Sequence, residues 1–152
     1  MIRLAAKPVT RGIAEGEALV TRMAISFTGG LDPQTGIIKE PGHELYGQCV
    51  AGKILVFPNG KGSTTGSWQY YAAFKRGNAP KGIINQTAEG VVAVSAIITQ
   101  TPMVHQLEKD PLDCIENGDF VRIDADAGVV EILKRQEKKH QGEKIFTDVQ
   151  GR

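Results

Sequence analysis

Glycine constrains this sequence more than any other residue type. Eighteen of the 152 positions are glycine, well above the average usage of about 7%. They punctuate the whole chain, which predicts many short elements joined by tight turns. The densest group is Gly60-Lys61-Gly62-Ser63-Thr64-Thr65-Gly66-Ser67. Its surroundings say what it connects. Before it, Gly52–Pro58 (GKILVFP) is a short, continuous apolar run, as expected of a strand buried on both faces. After it, Trp68, Tyr71 and Phe74 recur at helical spacing, and Gly77 marks the helix end. The order is strand, glycine-rich turn, helix.

The rest of the chain reads as short pieces around this unit. Gly12–Arg22 places Ala18 and Val20 on one face of a strand. Residues 25–47 form a long loop punctuated by Gly29-Gly30, Asp32-Pro33, Gly36, Pro41-Gly42 and Gly47. Its apolar residues Phe27, Leu31, Ile37, Ile38, Leu45 and Tyr46 argue for an ordered loop anchored to a core. Pro80–Asn85 reads as a buried strand and Pro102–His105 as another. Between them, the β-branched content of Ala88–Thr99 favours strand, while its length and its place after a strand favour a crossover helix; helix is preferred. Phe120–Asp124 and Val129–Leu133, joined through Ala127-Gly128, read as a hairpin. The fold expected is a small mixed α/β domain over residues 1–133, with a polar tail or helix extension over 134–152.

Charge and hydropathy exclude several functions. Eighteen Lys+Arg against seventeen Asp+Glu leave a net charge of +1, too little for charge-driven nucleic-acid binding. No apolar run approaches the roughly 20 residues of a membrane span, and residues 1–10 lack a signal-peptide core. A cytoplasmic protein is expected. Two cysteines, Cys49 and Cys114, are too few for a disulfide framework or for the ligands of a usual zinc site or iron–sulfur cluster, and both are expected to be buried thiols. Asp124 and Asp126 in IDADAG lack the spacing of a calcium loop and read as turn residues. His43, His105 and His140 read as surface or packing residues.

Chemistry is best placed at the glycine-rich turn. Backbone N–H groups at a helix N-terminus, reinforced by the helix dipole, attract carboxylates and phosphates. Four hydroxyls, on Ser63, Thr64, Thr65 and Ser67, lie among three glycines there, more than helix capping needs. Neither Gly-Lys pair, at 52–53 or 60–61, is followed by Ser or Thr, so a nucleotide-binding P-loop is rejected. The same donors, with Lys61 nearby, would lower the cost of a serine alkoxide able to act as a base. No GxSxG elbow and no Ser–His–Asp spacing is present.

Four segments together, ISFTGGLDPQTGIIKEPGHELYG, GKILVFPNGKGSTTGS, APKGIIN and GDFVRIDADAGVVEI, resemble the small, swivelling subunit of aconitase X over about residues 10–132. The resemblance implies a swivelling β/β/α domain, compact and barrel-like with a few helices, docked on a large subunit. In that family the large subunit carries an iron–sulfur cluster, whose iron assists departure of the hydroxyl, and most of the substrate pocket. The small subunit supplies a serine as catalytic base, here Ser63. Around it, Gly62, Thr64, Thr65, Gly66 and Ser67 are expected to meet substrate, as are Ser26, Gly29, Gly30 and Asp32 from the family's second long motif. The reaction implied is dehydration of a hydroxylated carboxylate. Mevalonate 5-phosphate is expected as substrate, because GKGSTTGS on a separate chain looks closer to the archaeal two-subunit type; cis-3-hydroxy-L-proline is the alternative. Two readings of another class stand beside it, a phosphohistidine carrier using His105 and a non-catalytic anion-binding module.

Overall fold

The computed structural model describes residues 1–135. In chain order the elements are β1 (Ile2–Ala5), β2 (Lys7–Pro8), β3 (Ile13–Val20), β4 (Ile25–Ser26), β5 (Ile54–Phe57), β6 (Gly60–Lys61), α1 (Gly66–Lys75), β7 (Gly82–Asn85), α2 (Gly90–Thr99), β8 (Met103–His105), α3 (Pro111–Cys114), β9 (Phe120–Asp124) and β10 (Val129–Lys134). Eight strands form one sheet in the order β1-β10-β9-β3-β5-β7-β8-β2. Strands β3, β5, β7 and β8 run parallel, and the outer pairs are antiparallel.

The order has a consequence for shape. β1 and β2 stand at opposite ends of the sheet, yet only Ala6 separates them in the chain. One extended N-terminal segment thus pairs β10 with its first half and β8 with its second, drawing the two edges together into a barrel-like curl. Ala6 itself donates its N–H to Gly128 O at 2.9 Å, covering the corner between them.

Alternation along the strands then separates two cores. Ala18, Ile54, Val56, Ile84, Val104, Val121, Ile123, Val130 and Ile132 point into the curl. Leu19, Leu55, Phe57, Ile83 and Met103 point outward, where they meet Tyr70 and Ala73 of α1 and Val92 and Ala96 of α2. The topology accounts for this one-sided covering. β5-α1-β7-α2-β8 advances across neighbouring parallel strands, and crossovers of one hand place both helices on one face of the sheet. The continuous apolar run of β5, buried at every position, is what a strand between two cores requires.

The long loop packs on the outer core as well. Phe27, Leu31, Ile38, Leu45 and Val50 are buried there, and the Phe27 ring lies 5.0 Å from Tyr70 and 6.4 Å from Phe57 between centroids. Isolated bridges Leu31–Ile38 and Ile37–Cys49 fold the loop on itself. Thr21 hydrogen-bonds Glu44, and His43 is buried with Nε2 3.0 Å from Ala24 O while Nδ1 accepts the Leu45 N–H.

Two expectations need correction. Tyr46 is no anchor, being 61% exposed; Leu45 beside it takes the inward position in that turn. Cys49 is exposed and Cys114 half-buried, so neither is a buried thiol. Cys49 faces out because Val50, its neighbour, occupies the core. The aromatic stripe that marks α1 faces outward too: Trp68, Tyr71 and Phe74 are exposed, and the core contacts come from Gly66, Tyr70 and Ala73. The expected 134–152 tail begins at the last residue of β10; beyond Arg135 it lies outside the described residues, as does His140.

Candidate active site

The glycine-rich turn lies at the C-terminal end of β5, where ligands of parallel α/β sheets usually bind. Short strands root it. β6 pairs parallel with β4, with Ser26 opposite Lys61, so the long loop's second motif runs beside the Ser63 segment. Gly60 fits against Glu89, the N-cap of α2, where a Cβ would collide with the carboxylate. Asn85, fully buried at the end of β7, ties the neighbouring strand in by donating to Phe57 O at 3.1 Å. Its Oδ1 has no hydrogen-bond partner.

Three hydroxyls converge at the tip. Ser63 Oγ lies 2.7 Å from Thr65 Oγ1. Thr28 Oγ1 lies 3.3 Å from Ser63 Oγ, 3.2 Å from Thr65 Oγ1 and 3.3 Å from Ser63 O. Ser26 Oγ donates to Thr28 O at 2.8 Å and sits against Gly62, whose φ is +97°. Gly66, the first residue of α1, is buried and tightly surrounded: a Cβ there would stand 3.1 Å from Thr28 Oγ1 and from Val91 Cγ1, so those neighbours would have to give way.

Helix-terminal N–H groups contribute less than the sequence implies. A tight turn precedes α1, in which Gly66 N–H donates to Ser63 O, Ser67 N–H to Thr64 O and Trp68 N–H to Thr65 O. Those three donors are used by the turn, and the hydroxyls of Thr65 and Thr28 stand 2.7 Å and 3.3 Å from Ser63 Oγ. Lys61 is also committed, its Nζ 2.8 Å from Glu40 Oε2, which offsets its charge near the turn.

Other sequence candidates fall into two sets. Thr64 and Ser67 line a cavity of about 330 Å³ between the N-termini of α1 and α2, together with Glu89, Gly90, Val91 and Val94; Ser67 Oγ donates to Thr64 O at 3.0 Å. Gly30 lies directly over Ser26, with no space for a Cβ, and Gly29 has a φ of +78°. Asp32 is engaged within its own loop: it accepts the Gln34 N–H at 3.0 Å and pairs with Lys39 Nζ at 3.2 Å. These bonds, the backbone one foremost, hold its carboxyl below the ordinary range. A wider cavity of about 590 Å³ opens at the other end of α2 beside Thr10, Arg11, Ile97 and Asp126, away from the hydroxyl group.

Thr28 is the residue sequence reasoning missed. It lies 35 positions from Ser63, and only the β4–β6 pairing signals their meeting: two residues beyond Ser26 and Lys61 come Thr28 and Ser63. Among the described residues, no group of three or more His, Cys, Asp or Glu is placed to hold a metal ion. This part of the chain therefore does not fit an iron–sulfur cluster. Asp124 and Asp126 serve turns, accepting from Ala127 N and Gly12 N. His105 is half-buried, its Nδ1 accepting the Ala88 N–H at 2.8 Å.

A curled mixed sheet, two helices and a covering loop on one face, and a hydroxyl-lined turn at the strand ends define a small swivel-type α/β domain. The chain belongs to the aconitase X swivel-domain family, whose model matches residues 3–132. It is 46% identical over 134 residues to the phosphomevalonate dehydratase small subunit of Methanococcoides burtonii, covering 88% of this chain and 98% of that one. The crystal structure of aconitase X from Thermococcus kodakaraensis superposes with a TM-score of 0.83 at 47% identity, over 88% of this chain and all of the other. A 3-isopropylmalate dehydratase chain from Methanocaldococcus jannaschii shares the fold at 16% identity and a TM-score of 0.57, over 92% of this chain and all of that one.

Proposed function

We propose that this chain is the small subunit of a cytoplasmic dehydratase acting on mevalonate 5-phosphate, with Ser63 as the base. The observation that carries the role of Ser63 is its convergence with Thr65 and Thr28 on an exposed turn. The similar chains, which are phosphomevalonate dehydratase small subunits by name, support the substrate. Ser63 Oγ acts after releasing its own proton to solvent. It takes a proton from the carbon next to the hydroxyl-bearing one, the C–H electron pair becomes the second bond of the alkene, and the hydroxyl leaves with its bonding pair and takes a proton from solvent to become water. An ionised oxygen gains most from donors fixed beforehand, and the neighbouring hydroxyls are such donors.

An iron–sulfur cluster and most of the pocket are assigned to a large partner subunit. What supports a partner is the surface of this chain. The outward faces of α1 and α2 expose Trp68, Tyr71, Val94, Ile97 and Ile98, with Trp68 at 69% and Ile97 at 56%. A helix apolar on both faces, as α2 is, ordinarily lies between two layers. This surface adjoins the hydroxyl turn through the cavity shared by Thr64, Ser67, Val91 and Val94.

The test is the complex reassembled from both subunits and assayed on mevalonate 5-phosphate and cis-3-hydroxy-L-proline. Turnover of the phosphate is expected, and Ser63→Ala should lower kcat by about 10²–10⁴-fold, the usual range for losing a general base. Turnover of hydroxyproline alone would overturn the substrate. A fully active Ser63→Ala complex would overturn the base.

A further inference from the structure

We propose that Thr65 and Thr28 form a hydroxyl relay that aims Ser63 Oγ and holds its negative charge, making both of them positioning residues. The inference rests on Ser63 being the base and concerns what sets its competence.

The first observation is a threonine that does not do its usual work. Thr65 stands at the N-cap of α1, where a Thr side chain normally accepts a backbone N–H and so stabilises the helix. Here its backbone is already helical, at φ −66° and ψ −11°, and its side chain makes no capping hydrogen bond. The hydroxyl instead lies 2.7 Å from Ser63 Oγ. Helix stability is forgone at this residue, and its side chain faces the reacting oxygen.

The second observation comes from another element. Thr28 Oγ1 stands 3.2–3.3 Å from both hydroxyl oxygens and from the Ser63 carbonyl. Its own position is fixed below by Ser26 Oγ donating to Thr28 O and beside it by Gly66, where a side chain would crowd Thr28 Oγ1. Each threonine has one proton and lone pairs to spare. When Ser63 carries the charge, Thr65 donates to it and Thr28 donates to Thr65. When Ser63 has taken the substrate's proton, Ser63 donates to Thr65 and the chain of donors reverses. No proton leaves the group in this reversal; only hydroxyl rotations are needed. Lys61 cannot substitute for the relay, because Glu40 holds its ammonium.

The experiment uses the reassembled two-subunit complex, with kcat and KM for mevalonate 5-phosphate measured across pH. Thr65→Val keeps shape and loses the donor. It should lower kcat by about 10²-fold, comparable to removing one donor to a developing oxyanion, with KM within about twofold. The limb of the kcat profile that rises with pH should move to higher pH. Thr65→Ser should restore both. Thr28→Val leaves the α1 cap untouched and should show the same pattern at smaller size, with Thr28→Ser as its rescue. Loss confined to KM with an unmoved pH limb would overturn the relay, since it would make the threonines substrate contacts. So would unchanged kinetics in both Val variants. A Ser63→Ala complex assayed alongside separates the two claims. If it is inactive while the threonine variants behave as wild type, only the relay fails; if it is active, the base itself fails.

Discussion

Gly62 shows how narrowly the turn is specified at the level of single residues. Its φ of +97° lies where L side chains are strained, and an added Cβ would collide with Ser26 Oγ. That oxygen cannot yield freely, because it is bonded to Thr28 O. Gly62→Ala is therefore expected to cost about 1–3 kcal/mol of stability. It should also reduce kcat of the complex by pushing Ser26 and Thr28 from beneath Ser63. Denaturant unfolding of the full chain and an assay of the complex measure the two effects; a variant neutral in both would show the turn to be slack. Much of this site was legible in sequence, because three glycines and four hydroxyls within Gly60–Ser67 are local information. The threonine across the turn was not, since nothing in residues 25–47 marks Thr28 apart from its neighbours. Lys61 misled in the other direction. Closeness in sequence makes it look like a cation for Ser63, whereas an ion pair with Glu40, a residue of the long loop, fixes where its charge acts.

Secondary elements repeat this division between local and distant information. The all-buried β5 was readable from GKILVFP, and the preference for a helix at Ala88–Thr99 agrees with α2, which starts at Gly90. Its start is capped by Glu89, accepting from Val91 and Val92 N–H groups, and its end by Gln100 in the left-handed region at φ +59°. Neither is the residue usually found there, so capping signals did not settle the competition that the β-branched content opened. The aromatic spacing of α1 identified the helix and hid its inner face, because periodicity reports a stripe and not which side is covered.

At the same level, His105 of β8 links the sheet edge to the segment before α2. Burial, and then Lys7 on the paired strand, lower its pKa from the ordinary 6.5. The neutral ring is the form that accepts the Ala88 N–H; a protonated ring would face that donor with another. The folded state thus binds the proton less readily than the unfolded chain. Stability should be level above the ordinary imidazole value, fall as pH drops through it, and level off once the folded histidine has also titrated. His105→Gln, which keeps an acceptor without titrating, should flatten the decline in denaturant melts of the full chain. An unchanged decline would place its origin elsewhere.

For the molecule as a whole, what the sequence could not reveal is closure. Residues 1–10 carry no pattern announcing that their halves pair with β10 and β8, strands more than 90 positions away. Closing the curl turns one sheet face into an inner core, leaving the helices and long loop on the outside and the hydroxyl turn exposed at the strand ends. On the proposed function, such a domain presents half a site. No helix among its described residues is long and apolar enough to cross a membrane, and its outer helical surface is apolar where it borders the turn. The central claim is that this half contributes the base. Its most direct test is proton exchange at the substrate carbon, followed by mass spectrometry with the reassembled complex and mevalonate 5-phosphate in deuterated water. The wild-type complex should wash deuterium into that carbon, and a Ser63→Ala complex that still assembles and binds substrate should do so at least about 10²-fold more slowly. Exchange in the Ser63→Ala complex at the wild-type rate would contradict the account.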